Sequence, residues 1–158
     1  MVSLGIEGIT VALGKAQYKM RICSKSDWDV IMLGKASPRL AVKLVCGAKP
    51  LFRDVGRLFE LYREALSKFR EDAELTIPQY KCDDSNDIKY TVYTVADKLV
   101  ADYAGLDIYR VSDIPIVDYW LLLRDAFISA ASQTEKGRKY LKNAYRLEQT
   151  DADGELEG

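Results

Sequence analysis

The chain contains no histidine among its 158 residues, and that absence removes more chemistry than any other feature of the sequence. Ser/His/Asp and Cys/His nucleophile activation, imidazole acid–base catalysis and His-ligated zinc all depend on a group that titrates near neutrality. Cysteine is scarce as well. Cys23, Cys46 and Cys82 are odd in number, widely spaced and never arranged as CxxC, which argues for reduced thiols in a cytosolic setting and against a structural zinc site. No GxxxxGK[ST] phosphate loop occurs, and no GxGxxG follows a strand. The sequence therefore reads as non-enzymatic, with no cofactor and no metal. Long apolar runs are missing too: no stretch approaches roughly 18 uninterrupted apolar residues, and the N-terminus lacks a basic-then-apolar leader, so no membrane insertion is expected.

What remains is a composition of 48% hydrophobic and 30% charged residues, which predicts one globular domain over residues 1–150 with a sizeable core of its own. The net charge of -1 hides an uneven distribution. Residues 1–79 carry 13 Lys/Arg against 9 Asp/Glu, and residues 80–158 carry 10 against 15, so the halves are +4 and -5. That asymmetry suits either an ordinary solvated surface with an acidic tail, or a head-to-tail or anionic-partner contact made by the basic half.

The apolar pattern predicts a mainly α protein, a compact helical domain of five to six helices with a short N-terminal β-hairpin. Ile9 to Leu13 and Gln17 to Cys23 alternate around Gly14-Lys15, which places the hairpin at 9–23. Helices then fill 26–148. Ser26 caps a short helix ahead of Asp27 and Asp29 that reaches Leu33, with Gly34 after it. Ser37-Pro38 caps a second, through Cys46. A third starts near Pro50, with Leu51, Phe52, Val55, Leu58, Phe59, Tyr62, Ala65, Leu66 and Phe69 on its apolar face. Asp72 to Asp84 reads as a loop. The segment from Ile88 has the composition of a strand but the spacing of a helix, and is assigned as a helix ending at Gly105. A long apolar helix from Ile114 to Ala131 and a last one from its cap Thr134 to about Glu148 complete the domain. Residues 151–158 form an acidic tail expected to be disordered.

On the long helix, Asp118, Asp125 and Ser129 share one narrow stripe, whereas Arg124 lies away from it among Val117, Trp120, Leu121, Phe127, Ile128 and Ala131. An unpaired guanidinium in such surroundings costs several kcal/mol, so Arg124 needs an acidic or carbonyl partner, or an exit by snorkelling. Arg and Trp recur as interface anchors. Trp120 and Arg124, with Tyr140 and Tyr145 of the last helix, are therefore the candidate protein interface. A second candidate is a basic strip: Lys49, Arg53 and Arg57 at i,i+4,i+8, preceded by Arg39 and Lys43, which could meet phosphates. A helix-turn-helix reading of the same region fails on Arg53 and Gly56, which fall where that motif needs apolar packing. Asp83, Ser85 and Asp87 mimic an EF-hand start, but Ile88 and Thr94 occupy its glycine and glutamate positions.

In the last third, Asp118-Tyr119-Trp120-Leu121-Leu122-Leu123-Arg124-Asp125-Ala126, Ser132-Gln133-Thr134-Glu135 with Gly137-Arg138 and Tyr140-Leu141, and Arg146-Leu147-Glu148-Gln149-Thr150 resemble the C-terminal part of small structural and assembly proteins of tailed phages and prophages. The resemblance covers about a quarter of the chain. It implies a non-enzymatic role in virion assembly, as a tail or connector component or an assembly chaperone, in the host cytoplasm or the virion. Two expectations follow: a protein-interaction module that self-associates or grips a protein partner through the Trp120/Arg124 helix, or a small nucleic-acid-binding or regulatory protein using the basic strip.

Overall fold

The computed structural model describes residues 2–5, 8–34, 36–47, 49–74 and 94–143. It is mainly helical, with a three-stranded antiparallel sheet near the N-terminus. The chain divides into two compact units, Met1–Arg70 with Ser112–Tyr119, and Glu71–Val111 with Trp120–Gly158. Among the described residues no helix is long and apolar enough to cross a membrane.

In the first unit, β1 (Val2–Gly5), β2 (Gly8–Leu13) and β3 (Ala16–Met20) lie in that order in the sheet. The hairpin expected at 9–23 is thus the β2–β3 pair, and β1 is a third strand that alternation did not reveal because only four residues take part. The segment after Met20 leaves the sheet: residues 21–23 are not strand. Pairing of Ile9 with Met20 and Val11 with Tyr18 puts four buried side chains on one face, while Thr10, Lys19, Ala12 and Gln17 take the other, as the two-residue strand period requires. Gly14 turns the chain at φ +60°, a left-handed conformation that glycine adopts without steric cost.

Helix α1 (Lys25–Met32) is capped by Ser24, whose hydroxyl accepts from the Asp27 N–H. The cap lies two residues before the expected Ser26, because the Lys25 N–H is held by the Ile114 carbonyl and Ser24 bridges to Pro115, which stops the chain's extended path at that point. Helix α2 (Pro38–Val45) has the expected Ser37 cap. Its end returns to the sheet, with the Arg21 N–H donating to the Val45 carbonyl at 2.8 Å and Met20 bridging to Cys46.

Helix α3 (Val55–Glu74) begins later than the expected Pro50, after a 3-10 turn over Phe52–Asp54. Leu58, Tyr62 and Leu66 are fully buried at i,i+4,i+8, the stripe the spacing predicted. Leu51 and Phe52, expected on the same apolar face, precede the helix and are exposed. Asp72 to Glu74, expected in a loop, are still helical; the rest of that expected loop, and the expected helix from Ile88 as far as residue 93, lie outside the described residues. Tyr62 ties the unit together. Its hydroxyl accepts from the Cys23 N–H at 2.9 Å and donates to the Arg21 carbonyl at 3.0 Å.

In the second unit, α4 (Val95–Ala104) opens on a capping box in which Thr94 Oγ1 accepts from the Asp97 N–H and the Asp97 carboxylate accepts from the Thr94 N–H. Thr94 is its cap, and the reciprocal hydrogen bonds cover the wholly buried Asp97. The helix closes at Gly105, φ +64°, as expected, and a 3-10 segment Ile108–Asp113 follows. Helix α5 (Ile116–Ser132) has its first turn in the first unit and the rest in the second. A turn at Gln133 and Thr134 leads to α6, 135–143. Thr134 caps it by accepting from the Gly137 N–H at 2.9 Å, and Arg138 Nη1 donates to the Ser132 carbonyl at 2.8 Å.

Candidate functional site

The two sets of residues singled out by the sequence fare differently. Trp120 is buried in the fold. Tyr140 is partly buried and meets Phe127 edge-to-face at 6.3 Å between ring centres, and burial raises its phenol pKa. Tyr145 lies outside the described residues. Arg124 has a partner in its own chain: Nε and Nη2 both reach Asp125 Oδ1 at 3.1 Å, with the Arg124 side chain 30% exposed. The single solvated stripe inferred for this helix is too narrow. Ile116, Tyr119, Trp120 and Ala126 are the buried positions, most others are half-buried, and Ile128, Ala130 and Ser132 are exposed alongside Asp118. Arg124 sits at the flank of the buried arc, close enough to solvent for its long stem to carry the charge to the neighbouring carboxylate. Its charge is met without a second molecule.

The basic strip is broken into parts. Arg39 and Lys43 lie on α2 and are exposed. Lys49 precedes the 3-10 turn, Arg53 is within it, and Arg57 is on the first turns of α3. The i,i+4,i+8 spacing assumed one continuous helix from Lys49, and the late helix start removes that alignment.

What the structure does gather is Arg53, Arg57 and a cation that strip had not included. Lys15, with Leu13, Gly14 and Ala16 of the β2–β3 turn, and Arg53, Asp54 and Arg57 line an open hollow of about 620 Å³ within the first unit. A long-range hydrogen bond builds it: Tyr18 of β3 donates its hydroxyl to Asp54 Oδ2 at 2.7 Å across 36 residues of sequence, which holds the turn preceding α3 against the sheet. Accepting that bond engages the one acid of the hollow, and the donated proton is held, so the Tyr18 pKa is raised. Arg53 Nε lies 3.7 Å from Asp54 Oδ1. Arg57 pairs with Glu60 at 3.2 Å, both well exposed, a pairing easily exchanged for another anion. Three cations thus share the hollow with one carboxylate, beside the apolar walls of Leu13 and Ala16.

Next to Arg53 in sequence, Phe52 is 83% exposed and Leu51 51% exposed. Arg53 itself is 82% exposed along its side chain. Sequence periodicity hid this trio, because it read Leu51 and Phe52 as the first turn of a buried stripe. Gly14-Lys15, by contrast, was visible as a hairpin turn but carried no hint of the residues facing it.

The buried groups of the first unit have structural roles. Burial pushes the Cys23 thiol up and raises the Tyr62 phenol strongly. Among the described residues no three acids or cysteines are grouped so as to hold a metal ion. Comparison with protein families, with curated proteins and with solved structures gave no match.

Proposed function

We propose that this protein is a non-enzymatic protein-interaction module, of the kind that serves tailed phages as a tail or connector component or an assembly chaperone, and that Leu51, Phe52 and Arg53 form its contact. The observation that carries the reading is the exposure of Phe52. A phenylalanine left open to water at the mouth of a helix forgoes about 1.5–3 kcal/mol of burial free energy, and an aromatic with an adjacent arginine has the composition of an interface hot spot. We place the contact at the start of α3 in preference to the Trp120/Arg124 helix, because Trp120 is buried and Arg124 has Asp125 beside it in its own chain. The likeness of the last third to phage assembly proteins supplies the biological setting.

The test is solution mass of the purified protein, alone and after co-expression with the products of the genes that flank its own. Self-association or a defined complex, lost in Phe52→Asp while the melting curve stays unchanged, is the expected result. A monomer that joins none of those products, or a complex indifferent to Phe52→Asp, would overturn the reading.

A further inference from the structure

We infer that the hollow between the β2–β3 turn and the start of α3 receives a carboxylate-rich segment of a protein partner, in which acidic residues flank an apolar one. This inference deepens the protein-interaction reading and rests on it.

Lys15, Arg53 and Arg57 approach the hollow from the β2–β3 turn, the 3-10 turn and the first turn of α3; against them stand Asp54, which accepts from Tyr18 at 2.7 Å and lies 3.7 Å from Arg53, and the exposed Glu60, paired with Arg57 at 3.2 Å. Three cations against two carboxylates leave a net positive charge, and an incoming carboxylate can take the place of the exposed Glu60 on Arg57: guanidinium groups bind carboxylates through paired N–H donors, and ammonium groups bind them as point charges. Leu13 and Ala16 add an apolar wall, and Leu51 and Phe52 stand exposed just ahead of Arg53. That combination matches a ligand with both acidic and apolar side chains. A nucleic-acid backbone calls for a line of cations spaced along successive phosphates, and the aligned strip that would have supplied one is broken at the 3-10 turn before α3. The platform is firm. The β2–β3 register pairs Leu13 with Ala16 around Gly14, which fixes Lys15, and the Tyr18–Asp54 bond fixes the other side.

The full chain is titrated against a fluorescein-labelled hexapeptide alternating Glu and Leu, an analogue with Gln for Glu, and a labelled oligothymidylate, with anisotropy as the readout. The acidic peptide should bind, and raising the salt from about 50 mM to about 500 mM should weaken it as surface charge attraction is screened. Reversal of two cations, Lys15→Glu with Arg57→Glu, should weaken it by about tenfold; both side chains lie at the surface, and an unchanged circular dichroism melt verifies the fold. Equal binding of the Gln peptide, binding untouched by charge reversal, no peptide binding at low salt, or tighter binding of oligothymidylate would each overturn the assignment. The two readings fail separately. If complex formation still depends on Phe52 while the acidic peptide is ignored, the acidic partner is wrong and the interaction module stands.

Discussion

Tyr62→Phe is the substitution that probes the first unit most directly, because it removes one oxygen and leaves the ring in place. The ring is buried on α3 between Leu58 and Leu66, so no cavity opens and the apolar contribution is retained. What is lost is the bridge between two backbone groups. The Cys23 N–H loses its acceptor at 2.9 Å and the Arg21 carbonyl loses its donor at 3.0 Å. A buried polar group stripped of its partner costs about 1–3 kcal/mol. Cys23 is fully buried, whereas Arg21 is exposed and its carbonyl can turn to water. The expected loss is therefore about 2–3 kcal/mol, the N–H supplying most of it. For a chain of this length that lowers Tm by about 4–12 °C. The clean assay is urea unfolding followed by Trp28 fluorescence in a Trp120→Phe background, since Trp28 belongs to the first unit and Trp120 to the second. Exchange of the Cys23 amide, read by NMR, should accelerate in parallel. Stability within about 0.5 kcal/mol of wild type, with the Cys23 amide still protected, would refute the reasoning.

The same residue gives a pH signature of known sign. Desolvation raises the Tyr62 pKa in the folded state above its ordinary value of 10.0. Above pH 10 the unfolded chain releases this proton while the folded chain keeps it, so the unfolded state binds fewer protons and stability falls with pH. Wild type should begin to lose stability above about pH 9, where burial keeps the Cys23 thiol protonated in the folded state, and lose it faster beyond pH 10. Tyr62→Phe should lose less over that window. Some decline must persist, because Tyr18 and Tyr140 are raised too, the first by its bond to Asp54 and the second by burial.

Three further outcomes can be checked with the same protein. Gly137→Ala puts a methyl group against the Ala131 carbonyl and near Thr134 Oγ1, so the helix-propensity gain of roughly 1 kcal/mol is outweighed and a net loss of about 2 kcal/mol is expected; a rise in Tm would contradict the close approach of α5 and α6. Cys23, buried and with its thiol pKa raised, should stay unmodified by a thiol reagent at pH 8 while Cys46 reacts, and should become reactive only on unfolding; labelling of Cys23 at the rate of a free thiol would count against its burial. Arg124→Ala should cost about 1 kcal/mol or less, because its partner Asp125 is itself well exposed, and a loss above about 3 kcal/mol would show that the guanidinium carries a buried charge contact.

The elements legible in the sequence are those written in short-range signals. Ser37-Pro38, the Leu58/Tyr62/Leu66 spacing, the alternation around Gly14 and the glycine stop at Gly105 each lie within a few residues of what they specify, and each appears in the fold. The signals that misled were also short-range, but a distant contact overrode them. Ser26 gave way to Ser24 because Ile114 and Pro115, some ninety positions later, hold the chain at Ser24 and Lys25. Leu51 and Phe52 continue the apolar period of α3 backward, yet the segment is pinned as a 3-10 turn where Tyr18 bonds Asp54, and the two side chains are left in water. Arg124 went the other way: a helical wheel placed it opposite the acids, but a guanidinium on a long stem covers the 100° to its neighbour Asp125 and needs nothing remote. The hollow is the extreme case. Arg57 on a wheel is an ordinary solvated cation, and Lys15 in a hairpin turn is another. They become one site only because a tyrosine on β3 reaches an aspartate 36 residues on. A single unpatterned hydrogen bond of that kind leaves no period, cap or spacing to read, and so a candidate site can be assembled entirely from residues whose local readings are unremarkable.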